Sequence, residues 1–197
     1  MGSYGQGTKT AALETKPATA PWHFLFLLAL AATINYIDRG SLSVAAPAVS
    51  TELSLTPAQI GLLLSSFSWS YVSFMVIAGW MADRYNPGWV LAAGFVVWSA
   101  ATFATAFAHT LVTLLALRLL LGAGEAFAFP TIYKIIAVIF PADRRALPNS
   151  FIDVGGRVGA GLSTLLGGLL IAHFGWRSLF VCLALASVTW LGFKKSG

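Results

Sequence analysis

The chain has 197 residues, of which 57% are apolar and only 10% charged, against about a quarter charged in soluble domains. That composition excludes an ordinary soluble globular fold and indicates an all-α polytopic membrane protein. The formal net charge of +5 does not argue for nucleic acid as a partner, because much of the basic excess falls in tails and connections, where membrane topology accounts for it.

Residues 1–21 are rich in Gly, Thr, Ala and Lys and close on Pro17 and Pro21. Such a stretch cannot bury enough apolar surface to fold and is expected to be a disordered cytoplasmic tail. About 20 apolar residues cross a bilayer. On that measure six spans follow, at roughly 22–47, 58–82, 88–108, 111–139, 149–172 and 177–193, before a short tail at 194–197. Ala29-Leu30-Ala31 mimics a signal-peptide cleavage site, but apolar character resumes through 41–49 and the first run reads as a retained span.

The connections around 50–56 and 108–111 hold no Lys or Arg. Those with Arg84 and with Arg144 and Arg145 are basic, as are the tails with Lys9, Lys16, Lys194 and Lys195; Arg177 is the exception. The positive-inside rule therefore expects both termini in the cytoplasm. Short loops without an Asn-x-Ser/Thr acceptor lean toward a bacterial inner membrane. Thr56-Pro57 has the form of a helix cap followed by a first-turn proline, and Pro141 and Pro148 bracket the basic connection after the fourth span. Asp38 precedes Gly88-Trp89 by 50 residues, and Glu125 precedes Gly175-Trp176 by the same interval. The equal spacing suggests that the six spans form a 3+3 inverted repeat.

Ionisable residues interrupt these spans. Arg118 and Glu125 are seven residues apart, about two helical turns, so both project from nearly the same face, with Gly122 and Gly124 removing bulk between them. Asp38 and Arg39 are neighbours and point about 100° apart, so each needs a partner elsewhere: the Arg118/Glu125 face, a solute, or water in a central cavity. Asp153 and Arg157 stand at i,i+4, a spacing that allows a local ion pair. Six such residues facing lipid would cost about 15 to 20 kcal/mol, more than a net stability of about 5 to 15 kcal/mol absorbs. They are expected to share a polar interior.

Arginine keeps its charge and holds a carboxylate through two parallel hydrogen bonds, while a buried carboxylate can take up and release a proton near neutrality. Together they make a symporter for a small organic anion and a proton, with sodium an open variant. Tyr36 and Tyr71 offer hydroxyls to a carboxylated or polyhydroxylated solute. His23, His109 and His173 lie near span ends and read as interfacial, and Cys182 reads as a packing residue. No metal or cofactor ligand set and no Ser, His and acid constellation stands out, so no enzyme is expected. The alternative is a non-transporting anion-binding membrane sensor or partner, or a truncated inactive half.

The residues Gly79-Trp80-Met81-Ala82-Asp83-Arg84 resemble the loop motif of the major facilitator superfamily, and Arg118 to Gly124 resembles its fourth-span arginine and glycine motif. Asn35-Tyr36-x-Asp38-Arg39 combined with Arg118-x-x-x-Gly122-x-Gly124-Glu125 is similar to the anion:cation symporter family, which moves organic anions such as sugar acids with protons. The likeness covers about 22–193, the amino-terminal six-helix half of a twelve-helix fold. It implies that Arg39 contacts a substrate carboxylate, with Tyr36 and Tyr71 on the substrate side. It also implies that Asp38 and Glu125 couple protons, that Arg118 links the two sites, and that Gly79, Asp83 and Arg84 belong to a gating loop. The sequence departs from the family where Asn86-Pro87-Gly88-Trp89 replaces a glycine and basic pair, and at Gly155-Gly156-Arg157, where some relatives carry a polar substrate contact. The resemblance implies a partner as well, either the carboxyl-terminal half or a second copy.

Overall fold

The computed structural model describes residues 22–195, with side chains through Trp190. The expected tail at 1–21 lies outside the described residues, and that at 194–197 lies at and beyond their edge. Among the described residues the fold is all-helical: α1 (Trp22–Leu53), α2 (Pro57–Arg84), α3 (Pro87–Thr105), α4 (Leu111–Glu125), α5 (Ala128–Ile139), a 3-10 turn (Ala142–Arg144), α6 (Ala146–Phe174) and α7 (Trp176–Lys195).

Local chemistry sets the ends. The turn after α1 carries Ser54 at φ 51°. Thr56 then caps α2: its hydroxyl accepts from the Gln59 N–H at 3.3 Å while its own N–H donates to Gln59 Oε1 at 2.8 Å, with Pro57 in the first turn. Asn86 accepts from the Gly88 and Trp89 amides at the start of α3, and Thr110 accepts from Thr113 N–H at the start of α4. Arg145 donates to the carbonyls of Ala137 and Phe140, satisfying orphan acceptors at the end of α5. Gly175, at φ 78°, makes the turn into α7 in a conformation L side chains rarely adopt. Both Gly-Trp pairs thus stand at the start of a helix, α3 and α7.

The expected single span at 111–139 is broken at 126–127. Pro130 explains the position: it has no N–H to give the Ala126 carbonyl, and its ring crowds that carbonyl. The break falls directly after Glu125. Four segments are long and apolar enough to cross a membrane: α2, α3, Leu111–Ile139 taken together, and α6. The 32-residue α1 is interrupted by Asn35, Asp38 and Arg39, and the apolar part of α7 within the described side chains, Trp176–Trp190, is shorter. The fold is that of a multi-pass membrane protein.

Glycines set how closely the helices approach. A Cβ at Gly155 would meet the Ala29 carbonyl, and one at Gly159 the Thr33 carbonyl, while Ser163 Oγ donates to the Ile37 carbonyl at 3.0 Å. The matched advance along both helices means that α1 and α6 run parallel in close contact. Gly122 packs on Phe67, Ser70 and Tyr71 of α2, and Gly124 on the Trp98 backbone of α3. Small residues of this kind let membrane helices approach backbone to backbone.

Two apolar slabs result. One holds Leu25 to Ile34, Phe67, Phe95, Trp98, Leu121 and Trp190; the other holds Leu42, Val49, Leu63, Leu114, Trp176 and Phe180. Phe95 stacks on Trp190 at 4.1 Å between ring centroids and lies 3.9 Å from Trp98, contacts worth about 0.5 to 1.5 kcal/mol each beyond area burial. Along the chain, Asp38 and Arg39 fall between the α1 contributions to the two slabs, Ser66 between those of α2, and Arg118 between those of α4. A polar layer therefore lies between the two apolar clusters.

Candidate functional site

Arg39 is the centre of that layer. Its Nε and Nη2 both donate to Glu125 Oε2 at 3.3 Å, and Nη2 also donates to Asn35 Oδ1 at 3.3 Å, one turn back on α1. Three rings surround the guanidinium: Tyr71 at 4.5 Å, Phe67 at 5.1 Å and Tyr36 at 5.2 Å. Each such contact is worth about 0.5 to 2 kcal/mol, more where water is excluded. The Arg39 side chain is 28% exposed, whereas that of Glu125 is 0%. The arginine can be reached by a solute; the acid lies behind it.

Arg118 and Asp38 lie deeper. Arg118 is in electrostatic reach of both Asp38 and Glu125 but forms no ion pair within 4 Å among the described residues. Among the described residues neither Asp38 oxygen has a hydrogen-bond partner, and the Trp98 indole interacts with that carboxylate without closing to hydrogen-bond distance. Glu125 Oε1, Asn35 Nδ2, Ser99 Oγ, Thr102 Oγ1 and Thr131 Oγ1 are also buried and unpartnered by protein groups. Buried polar atoms usually find partners, so this concentration of unmatched groups marks a place built for something other than packing.

The residues expected to meet do so in part. Tyr36, Tyr71 and Glu125 meet around the Arg39 guanidinium, while Asp38 and Arg118 stand within electrostatic reach of Glu125. Asp153 and Arg157 do not join them: both are exposed on α6, and no ion pair forms between them. Asp153 instead accepts from the Tyr133 hydroxyl at 3.1 Å, at the end of an aromatic row from Tyr36 through Phe129 to Tyr133.

Of the loop-motif residues, Asp83 accepts from Lys134 of α5 at 2.6 Å, Arg84 lies 5.5 Å above the Trp80 ring, and Gly79 has open space at its Cβ position. Asn35, Phe67, Trp98 and Lys134 take part in these networks without having been assigned a role from sequence. The i,i+4 spacing of Asn35 and Arg39 is the signal that would have found the first.

At the far end of α1, Glu52 accepts from Arg177 Nη1 at 2.5 and 2.7 Å and from the Trp176 indole at 2.7 Å, while Arg177 also reaches the Ala108 carbonyl and His109. These bonds to Arg177 and Trp176 hold the Glu52 carboxyl below its ordinary range. Arg177, the exception in the charge asymmetry, thus ties the connection after α1 to those before α4 and α7. Among the described residues no three His, Cys, Asp or Glu side chains cluster to hold a metal.

Comparison with known proteins places the chain in a family. Residues 28–194 match the family model described as Major Facilitator Superfamily. The chain is 36% identical over 157 residues to a Cupriavidus necator protein named "Probable sulfoacetate transporter SauU", covering 80% of this chain and 36% of that one. It is likewise 36% identical over 166 residues to a hexuronate transporter of Bacillus subtilis, covering 84% and 39%.

Among solved structures, a bacterial homologue of the human lysosomal transporter Spinster, in an inward-facing and occupied conformation, superposes with a TM-score of 0.79 at 26% identity, covering 87% of this chain and 44% of that one. The chain thus spans about two fifths of the length of these relatives, which are transporters and not enzymes. Buried charge within apolar helices, glycine-packed helix contacts and the family match lead to one statement: the chain belongs to the Major Facilitator Superfamily.

Proposed function

We infer that this chain is the amino-terminal six-helix half, arranged as a 3+3 inverted repeat, of an inner-membrane symporter that moves an organic anion with a proton, its termini in the cytoplasm. The observation that carries this reading is the shielding of Glu125 by a partly exposed Arg39. An anionic group arriving at Arg39 competes with Glu125 for the same guanidinium. A proton on Glu125 removes the competitor and frees the fork to grip a carboxylate or sulfonate. Loading of anion and proton are then linked through one side chain.

Tyr36 and Tyr71 flank the guanidinium and offer hydroxyls to a polyhydroxylated cargo. The relatives named for hexuronate and for D-galactonate favour a sugar acid. Asp38 and Arg118 form the inner end of the pathway, with Arg118 holding two acids in its field, and Asp83 with Lys134 serves the gating loop. The matched Gly-Trp pairs opening α3 and α7 support the repeat. The carboxyl-terminal half, or a second copy, supplies the opposing wall, since one half alone offers no second side to a central site. The transporter names of the relatives favour this reading over a non-transporting sensor.

The test is uptake into vesicles by a transporter containing this segment. Glu125→Gln is expected to keep solute exchange while losing accumulation driven by a pH gradient, and Arg39→Ala to lose anion binding. Accumulation driven by pH in the glutamine variant would overturn the coupling role, and accumulation that follows a sodium gradient instead would reassign the ion.

A further inference from the structure

We propose that the outer face of α2, α3 and α4 holds one phospholipid with an anionic headgroup, its acyl chain in an apolar groove and its phosphate at Arg84. The groove encloses about 290 Å³ and is lined by Phe74, Ala93, Val97, Leu120 and Phe127, with Met81 and Val90 at one end. Its lining is entirely apolar. Its floor is closed: a Cβ at Gly94 would come within 2.8 Å of Phe127 Cβ and 2.9 Å of the Gly124 carbonyl. The groove therefore does not open into the polar layer, although Gly124 is the neighbour of Glu125. All three helices belong to segments long and apolar enough to cross a membrane, and a hydrocarbon chain is the occupant the apolar lining fits.

The mouth supplies the second half of the argument. Arg84 is three residues beyond Met81, on the same helix face, at the α2–α3 connection. Asp83, its neighbour, is held by Lys134 at 2.6 Å, and among the described residues no carboxylate lies within 4 Å of Arg84. What remains near it is the Trp80 ring, itself packed edge-on against exposed Tyr85, amphipathic rings of the kind that mark a headgroup level. A guanidinium with no carboxylate within 4 Å among the described residues, next to an aromatic ring, suits a phosphate, and a lipid satisfies cation and groove together. This inference does not depend on the transport reading.

Native mass spectrometry of the intact chain, released from micelles containing equal dioleoylphosphatidylglycerol and dioleoylphosphatidylcholine, tests it. The wild type is expected to retain the anionic lipid about fivefold over the zwitterionic one, the ratio given by roughly 1 kcal/mol per surface arginine. Arg84→Gln should bring the ratio to about one, while Arg144→Gln, at the exposed 3-10 turn, should leave it unchanged. Ala93→Phe should fill the groove and reduce retention of both lipids, and Leu120→Trp on the opposite wall repeats that test should the first variant misfold. A wild-type ratio near one, or a ratio as sensitive to Arg144 as to Arg84, would overturn the proposal. So would a dimer peak abolished by Ala93→Phe, which would give the groove to a second copy.

Discussion

Two arginine–carboxylate pairs tie together distant parts of this chain, and they differ in almost everything except their chemistry. Arg177 and Glu52 meet at 2.5 Å with side chains 31% and 45% exposed; Arg39 and Glu125 meet at 3.3 Å with 28% and 0%. The shorter pair is the less consequential, because water screens it and solvates either partner when the other is removed. In the longer pair the acid has no water to fall back on, so removing the arginine strands a buried charge. Short distance is therefore a poor guide to importance here; the accessibility of the acid decides.

The largest effect that could break this contrast is Arg39→Ala. It is expected to lower stability by about 3 to 5 kcal/mol, the range for breaking a buried pair, measured by denaturation in micelles. Adding Glu125→Gln should restore most of the loss, because the charge is removed with its partner. A benign single variant would mean that Glu125 does not depend on Arg39. Next in size is Tyr71→Leu, which removes the nearest ring from the guanidinium and should cost about 0.5 to 2 kcal/mol, with a matching loss of anion affinity in binding titrations.

Arg177→Gln should shift the melting temperature least, and its effect should depend on acid. Glu52 titrates lower in the folded state than the ordinary 4.5. Its contribution is thus present above the unfolded value and is lost as pH falls through the folded one. The small difference in melting temperature between wild type and Arg177→Gln should accordingly close as the solution is acidified below the ordinary carboxylate range. A difference that persists in acid would show that Arg177 acts through the Ala108 carbonyl and not through Glu52.

How much of this was legible follows from the range of each interaction. Local signals read well: Thr56-Pro57 capped a helix, and buried charge in α1 and α4 marked a shared polar interior. The i,i+4 spacing of Asp153 and Arg157 misled, because a tyrosine from α5, twenty residues away, supplied a better partner. Pro130 carried the signal for the break after Glu125, but a continuous apolar run concealed it. The partners of Asp83 and Arg177 lie 51 and 125 residues off, and only the packed helices bring them near. The same applies to the rings around Arg39: Phe67 reads as ordinary apolar filling until α2 docks on α1 and α4.

The glycines that join α1 to α6 constrain how this protein can diversify. A Cβ at Gly156 would strike the Tyr36 ring, and one at Gly159 the backbone of Thr33, so Gly156 cannot gain bulk without displacing that ring, nor Gly159 without separating the two helices. Along this seam a new cargo preference cannot arise by decorating α6. On the transport reading proposed above, it would be written into the rings of Tyr36 and Tyr71, or into whatever surface closes over Arg39 from the other side. A lineage that changes its diet would keep the seam and rework those surfaces.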